Sequence, residues 1–383
     1  YPLLPFKVVI ASLMLIGSAV LGLASALKSG WFEIPTHPLM LAAWGIPIAS
    51  ALTLFVTPSL WMSLFGDALD LDTVFFAFLL ALATTVPVYL FRSRADTARA
   101  FFTLLIASWV VAVFHLIRLL FGADTFSFEI FTSPLFSLIG KWNDLAIYFG
   151  LVAVLGLMAI EALPLERMHQ YIIAATVAIA LFFAAVINFT PVWVCLGIVS
   201  LGIVLSRALI RGSTQRVSIG GSIVLVVSLV AIIFASTAGT MLGTYFGTNQ
   251  IEARPSLGST IDVATETLSS SPFLGSGANT FILAWDSYRP ADLNSSIFWN
   301  ADFTSGYGFV PTILVTQGII GILVWILFLG LFVYYGVRSL LLSSVSDQHA
   351  YHLKLSTYVA AAYLLVMTVI YLPSPVLIVI GFV

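Results

Sequence analysis

The chain has 383 residues, of which 60% are hydrophobic and only 8% charged, and its mean hydropathy is +1.09. A soluble domain places charge on about a quarter of its residues, so this composition excludes a water-soluble globular protein and describes an all-α polytopic integral membrane bundle. With 15 basic against 17 acidic residues there is no basis for a nucleic-acid partner or a polybasic hold on anionic lipid. The single cysteine, Cys195, lies in an apolar run and reads as a packing residue, so neither a disulfide nor a metal site is assigned.

Apolar windows long enough to cross ~30 Å of hydrocarbon fall at residues 6–27, 39–57, 73–91, 99–121, 144–163, 170–187, 191–207, 218–238, 307–335 and 353–372. The expected bundle therefore has ten to twelve helices. No small-residue cleavage pattern follows the first window, which reads as a true helix, and the apolar piece after Pro373 is too short to cross. Two connectors, 60–66 and 125–140, mix aromatics with Ser and Pro. They read as interfacial or re-entrant pieces, or as amphipathic connectors in the headgroups.

Basic loops are retained in the cytoplasm. With Tyr1 outside, ten of the fifteen basic residues are cytoplasmic: Lys28, Arg92, Arg94, Arg99, Arg167, Arg207, Arg211, Arg216, Arg338 and Lys354. Lys7, Arg118, Lys141, Arg254 and Arg289 fall on the other face with Asp67, Asp70 and Asp72. This orientation divides the chain into membrane helices 1–238, an extracytoplasmic loop 239–306, and membrane helices 307–383.

That loop is the one long polar interruption in the sequence. Arg254-Pro255-Ser256 followed by Leu257, Ile261, Ala264 and Leu268 predicts a helix with Pro near its start and apolar residues at helical spacing. Ser269-Ser270-Ser271-Pro272 ends it, and a glycine turn, Gly275-Ser276-Gly277, follows. Such a turn can bring backbone N–H groups close to a phosphate, although it lacks the Lys and Ser/Thr of a P-loop. Trp285, Tyr288, Trp299 and Phe303 alternate with Asp286, Asn294, Asn300 and Asp302. Alternating rings and acceptors suit sugar binding, and equally suit an aromatic belt at the membrane surface.

Taken in order, Arg254, the amphipathic helix, Ser271-Pro272-Phe273-Leu274-Gly275-Ser276-Gly277, Phe281, the polar aromatic loop and Gln317-Gly318-Ile319-Ile320-Gly321 resemble the O-antigen ligase and polymerase family, with its relatives among bacterial protein O-oligosaccharyltransferases. The resemblance covers residues 250–335. It implies a metal-independent, cofactor-free glycosyltransferase of the bacterial cytoplasmic membrane. Such an enzyme takes a glycan from undecaprenyl diphosphate at the outer face and joins it to an acceptor glycan, lipid or protein. Arg254 occupies the family's arginine position, and a guanidinium suits the diphosphate because its planar fork binds phosphate oxygens in pairs.

Arg289 and Arg118 are further candidates for the diphosphate, and His115 lies one turn before Arg118. Ionisable groups at membrane depth are functional suspects by default, yet an Arg at a span end also snorkels and a His beside it also serves interhelical hydrogen bonding. The family's His before the last shared helix is missing. Ser305-Gly306-Tyr307-Gly308-Phe309 stands there, with no His between Gln170 and Gln348. Tyr307, with a reference pKa near 10, is a poor base, which leaves Asp302, Asp292, His115 or no residue at all in the role of relieving the acceptor of its proton. A flippase, transporter or non-catalytic scaffold is the competing class, although span centres nearly free of charge and the lack of an internal repeat disfavour transport.

Overall fold

A computed structural model describes residues 4–29, 36–67, 70–91, 93–127, 129, 131–162, 166–209, 218–250, 252–290, 300–342 and 348–383. In chain order the helices are α1 (Leu4–Ser29), α2 (Pro38–Leu52), α3 (Leu60–Leu64), α4 (Val74–Leu90), α5 (Arg94–Phe121), α6 (Trp142–Ala162), α7 (Arg167–Ile187) and α8 (Thr190–Leu209). They continue as α9 (Ile219–Ile233), α10 (Ala235–Phe246), α11 (Leu257–Ser270), α12 (Phe281–Tyr288), α13 (Phe309–Thr316), α14 (Gly318–Leu342), α15 (Gln348–Ile370) and α16 (Pro375–Phe382). A 3₁₀ turn, Thr53–Phe55, extends α2, and no strand occurs among the described residues.

Eight helices are long and apolar enough to cross a membrane, nine if the bent pair α9–α10 is one span, with α4 a shorter apolar helix. Membrane character and helical class thus agree with the composition. Two windows are cut differently. The expected span 307–335 breaks at Gln317, because Gly318 takes φ +64°, a left-handed conformation no helix interior tolerates. α13 is therefore a separate short helix and the crossing helix begins at Gly318. The expected span 218–238 likewise ends at Phe234.

Two compact units form. One contains Tyr1–Pro2, Ser93–Ile251 and Leu342–Leu364; the other contains Leu3–Arg92, Glu252–Leu341 and Leu365–Val383. In the first, α6 is the interior pillar: 83% of its apolar window is buried, against 22–33% for α5, α7 and α8. α7, α8, α9 and α5 pack around it. Trp109 Nε1 donates to Thr176 Oγ1 at 3.0 Å, tying α5 to α7, and Tyr363 Oη donates to the Ile147 carbonyl at 3.0 Å across a gap left by Gly150.

In the second unit Phe76, Leu79 and Leu80 of α4 meet Phe309 and Ile313 of α13 and Trp325 and Phe328 of α14. The short α16 completes this core, with Phe382 stacked on Phe328 at 5.0 Å. Its apolar sequence serves packing inside the protein. Trp44 of α2 donates to Thr85 Oγ1 of α4 at 3.0 Å.

Candidate functional site

Residues 254–279 of the loop join four helix ends of the second unit. At the C-terminal end of α2, Thr53 Oγ1 accepts the Ala278 N–H at 3.0 Å. At the start of α4, Asp72 Oδ2 accepts the Asn279 N–H at 3.2 Å. The first N–H groups of α14, from Ile319 and Ile320, donate to the Pro272 and Phe273 carbonyls, so the loop satisfies donors that a helix start leaves open. At the end of α15, the carbonyl of Ile370 accepts from Arg254.

The helix predicted after Arg254 is α11, with Ser256 as its N-cap. Its buried face differs from the expected one: Thr260, Val263, Ala264 and Thr267 face inward, while Leu257 and Ile261 are exposed. The threonine hydroxyls donate to carbonyls one turn back and so enter the interior already satisfied. The outward face is mixed, with Asp262, Thr265 and Glu266 exposed beside Leu257 and Ile261.

Arg254 lies where this helix, the 305–309 stretch and α15 converge. Its Nη1 donates to the Ile370 carbonyl at 2.9 Å and to the Tyr307 carbonyl at 3.2 Å. Its Nε lies 3.7 Å from Glu252 Oε2, and both side chains are 26% exposed. The guanidinium carbon is 4.6 Å from the Tyr307 ring centre and 5.6 Å from that of Tyr371. These contacts orient the fork and leave Nη2 uncommitted among the described residues. Tyr307, expected at the place of the family's His, is held by its backbone: its N–H donates to Thr260 Oγ1 at 2.8 Å. Asp302 is exposed. Arg289 caps α12, its N–H donating to the Trp285 carbonyl, and its side chain is half-buried.

Two expected ligand contacts are met differently. The N–H groups of Gly275, Ser276 and Gly277 donate to the carbonyls of Ser271, Val315 and Thr316, so this turn fastens the loop to α13 and its donors do not face a phosphate. Gly275 (φ +65°) and Gly277 (φ +108°) are needed for this. A Cβ on Gly275 would lie 2.3 Å from the Val315 carbonyl oxygen, and one on Gly277 would lie 3.0 Å from Thr57. Trp285, expected to stack on sugar, is 1% exposed and packs between Phe281 and Phe303 in the loop's own small core. Trp299 and Asp292 lie outside the described residues.

Arg118 and His115 belong to the first unit, apart from Arg254, Arg289, Tyr307 and Asp302 in the second. Both fasten the 131–139 connector. Arg118 Nη2 donates to the Phe131 and Ser133 carbonyls at 2.7 and 2.9 Å, with the rings of Phe114 and Phe136 each 5.6 Å away. His115 Nε2 accepts the Leu138 N–H at 3.3 Å.

Sequence reasoning missed Asp72. Buried at the start of α4, it accepts from Gln317 Nε2 at 3.0 Å as well as from Asn279. Burial pushes its pKa up to about 6, opposed by hydrogen bonds from Thr316, Gln317 and Asn279. Beside it, Asn279 Nδ2 bridges the Met62 carbonyl and Asp70 Oδ2, each at 3.1 Å. The available signal was the acid run before an apolar window, which reads as a simple exposed connector until its partners 200 residues away are known.

No cluster of three or more His, Cys, Asp or Glu suited to a metal occurs among the described residues. No family model matches the chain, and no curated protein matches it.

Proposed function

We propose that the chain is a membrane glycosyltransferase that moves a glycan from an undecaprenyl-diphosphate carrier to an acceptor hydroxyl, with segment 239–306 outside the bacterial cytoplasmic membrane. The observation that carries this reading is Arg254: a guanidinium held on two backbone carbonyls through Nη1, quarter-exposed, with Nη2 available to a phosphate oxygen. In the reaction the acceptor oxygen bonds to the anomeric carbon as the bond from that carbon to the carrier phosphate breaks. The acceptor proton passes to a base, and the electron pair leaves with undecaprenyl diphosphate. A preoriented cation stabilises the charge growing on that leaving group, and the exposed Asp302 is the carboxylate on the same loop for the proton.

A non-catalytic glycan-lipid-binding scaffold is the second reading. Arg254 already clasps helix-end carbonyls, and the glycine turn has spent its donors within the protein. The two readings separate when protein in nanodiscs is given undecaprenyl diphosphate glycans and product is followed by mass spectrometry. Release of undecaprenyl diphosphate that is lost in Arg254→Ala supports the transferase; carrier binding with no release supports the scaffold.

A further inference from the structure

The α2 helix presents a ridge of exposed apolar residues, Leu41, Ile48 and Leu52, spaced by seven and four residues and hence on one face. The ridge does not stop where the helix stops. It runs on to Phe55, which is 85% exposed, and then to Leu60 and Trp61, the latter 67% exposed. A second ridge on α14, of Ile319, Leu323, Ile326 and Leu327, likewise continues onto the exposed Phe273 of the loop.

The polar side chains of the same connector point the other way. Thr53 and Ser63 are fully buried; Thr53 Oγ1 takes the Ala278 N–H, and Ser63 Oγ donates to the Ala278 carbonyl at 2.6 Å. Thr57 and Ser63 share a further hydrogen bond of 2.6 Å. In water a five-residue helix would bury its tryptophan and expose its serine; here the order is inverted, which an apolar surround explains.

The backbone sets the depth. Val56, Thr57, Ser63, Phe65 and Gly66 donate within the connector, and Pro58 has no N–H. The first-turn N–H groups of Leu60 and Trp61 meet no protein acceptor among the described residues, so they require water or headgroup oxygens. Asp67, at the far end, is exposed. Acyl chains beside Trp61 and polar headgroups beside the first turn of α3 satisfy both demands.

We propose that the 3₁₀ turn, α3 and Phe273 form a docking surface for the acyl chains of the leaflet on the loop side, a shelf that fixes the depth of the 275–280 turn at the membrane surface. The lipid ridges of α2 and α14 are continuous with it, and the hydrogen bonds to Ala278 transmit its position to the loop. This inference is independent of the transferase reading.

The test uses the full chain in phosphatidylcholine liposomes, with Cys195→Ala as background and one new cysteine per sample carrying a nitroxide. Phe55→Cys, Leu60→Cys and Trp61→Cys are compared with Ile48→Cys in the α2 ridge and Ser287→Cys on α12. Power saturation with oxygen and with a water-soluble nickel chelate reports the surround. The expected result is an oxygen-to-nickel ratio at 55 and 61 that matches position 48 and exceeds position 287, with position 60 between them. A nickel-dominated ratio at 55 and 61 places the shelf in water and overturns the proposal. Loss of both accessibilities means protein covers it, a second copy included, and overturns it as well.

Discussion

Arg118 and Arg254 solve one problem in two environments. Each guanidinium donates to two backbone carbonyls, and each has aromatic rings beside it. Arg118 does so while 5% exposed, with its Nη1 buried and unmatched by any acceptor among the described residues. Arg254 keeps a quarter of its side chain open and pairs with Glu252, and its Nη2 meets no acceptor among the described residues. The chemistry of the residue is the same and exposure differs: the first arginine is closed around the protein, whereas the second keeps part of its side chain open.

The sharpest way to break that contrast is to remove Arg254 and follow transfer. Arg254→Ala should lower the release of undecaprenyl diphosphate by at least ~100-fold, since losing one positioned donor to a developing anion costs on that order. Normal release would reduce Arg254 to a clasp like Arg118. The reciprocal change, Arg118→Met, should destabilise the protein by about 2 kcal/mol, because two part-buried carbonyls lose a charged donor. A thermal melt in nanodiscs measures this, and an unshifted midpoint with lost carrier binding would reverse the assignment of the two arginines.

Asp72 adds a third, anionic member to the comparison. Its pKa is raised from 3.8 to about 6, so between those values the folded protein binds more protons than the unfolded chain. Stability therefore falls as pH rises from about 4 to about 6, by about 3 kcal/mol in all, and is level above that. Asp72→Asn should abolish this slope in melts taken across that range. The smallest effect is expected at Glu252. Its 3.7 Å contact with Arg254 is partly exposed, and Glu252→Gln should change stability by less than about 1 kcal/mol, with transfer kept. A large loss of transfer would mean that the acid tunes the fork.

Most crossing helices were legible because twenty apolar residues leave few alternatives. The existence of the helix after Arg254 was legible from its Pro and its helical spacing, although its buried face was not. The break at Gly318 was not: the residues on both sides are apolar, and only the backbone hydrogen bonds from Ile319 and Ile320 to Pro272 and Phe273 explain why the helix restarts there. Trp285 was misplaced because aromatic spacing alone does not separate a groove wall from a small core. Arg254 was found as a suspect residue, but its grip on Ile370 joins positions 116 residues apart, which no local pattern encodes. The Asp72–Gln317 contact lay hidden for the same reason.

The buried pillar α6 also bears on how the protein is made. Its packing partners α7, α8 and α9 all follow it in the chain, so when α6 leaves the ribosome most of the surfaces it will contact do not yet exist. Asn143 and Asp144, buried at its first turn, then have to wait at the bilayer without their final surroundings. The burial of α6 is thus completed only as the helices that follow it in the chain pack against it.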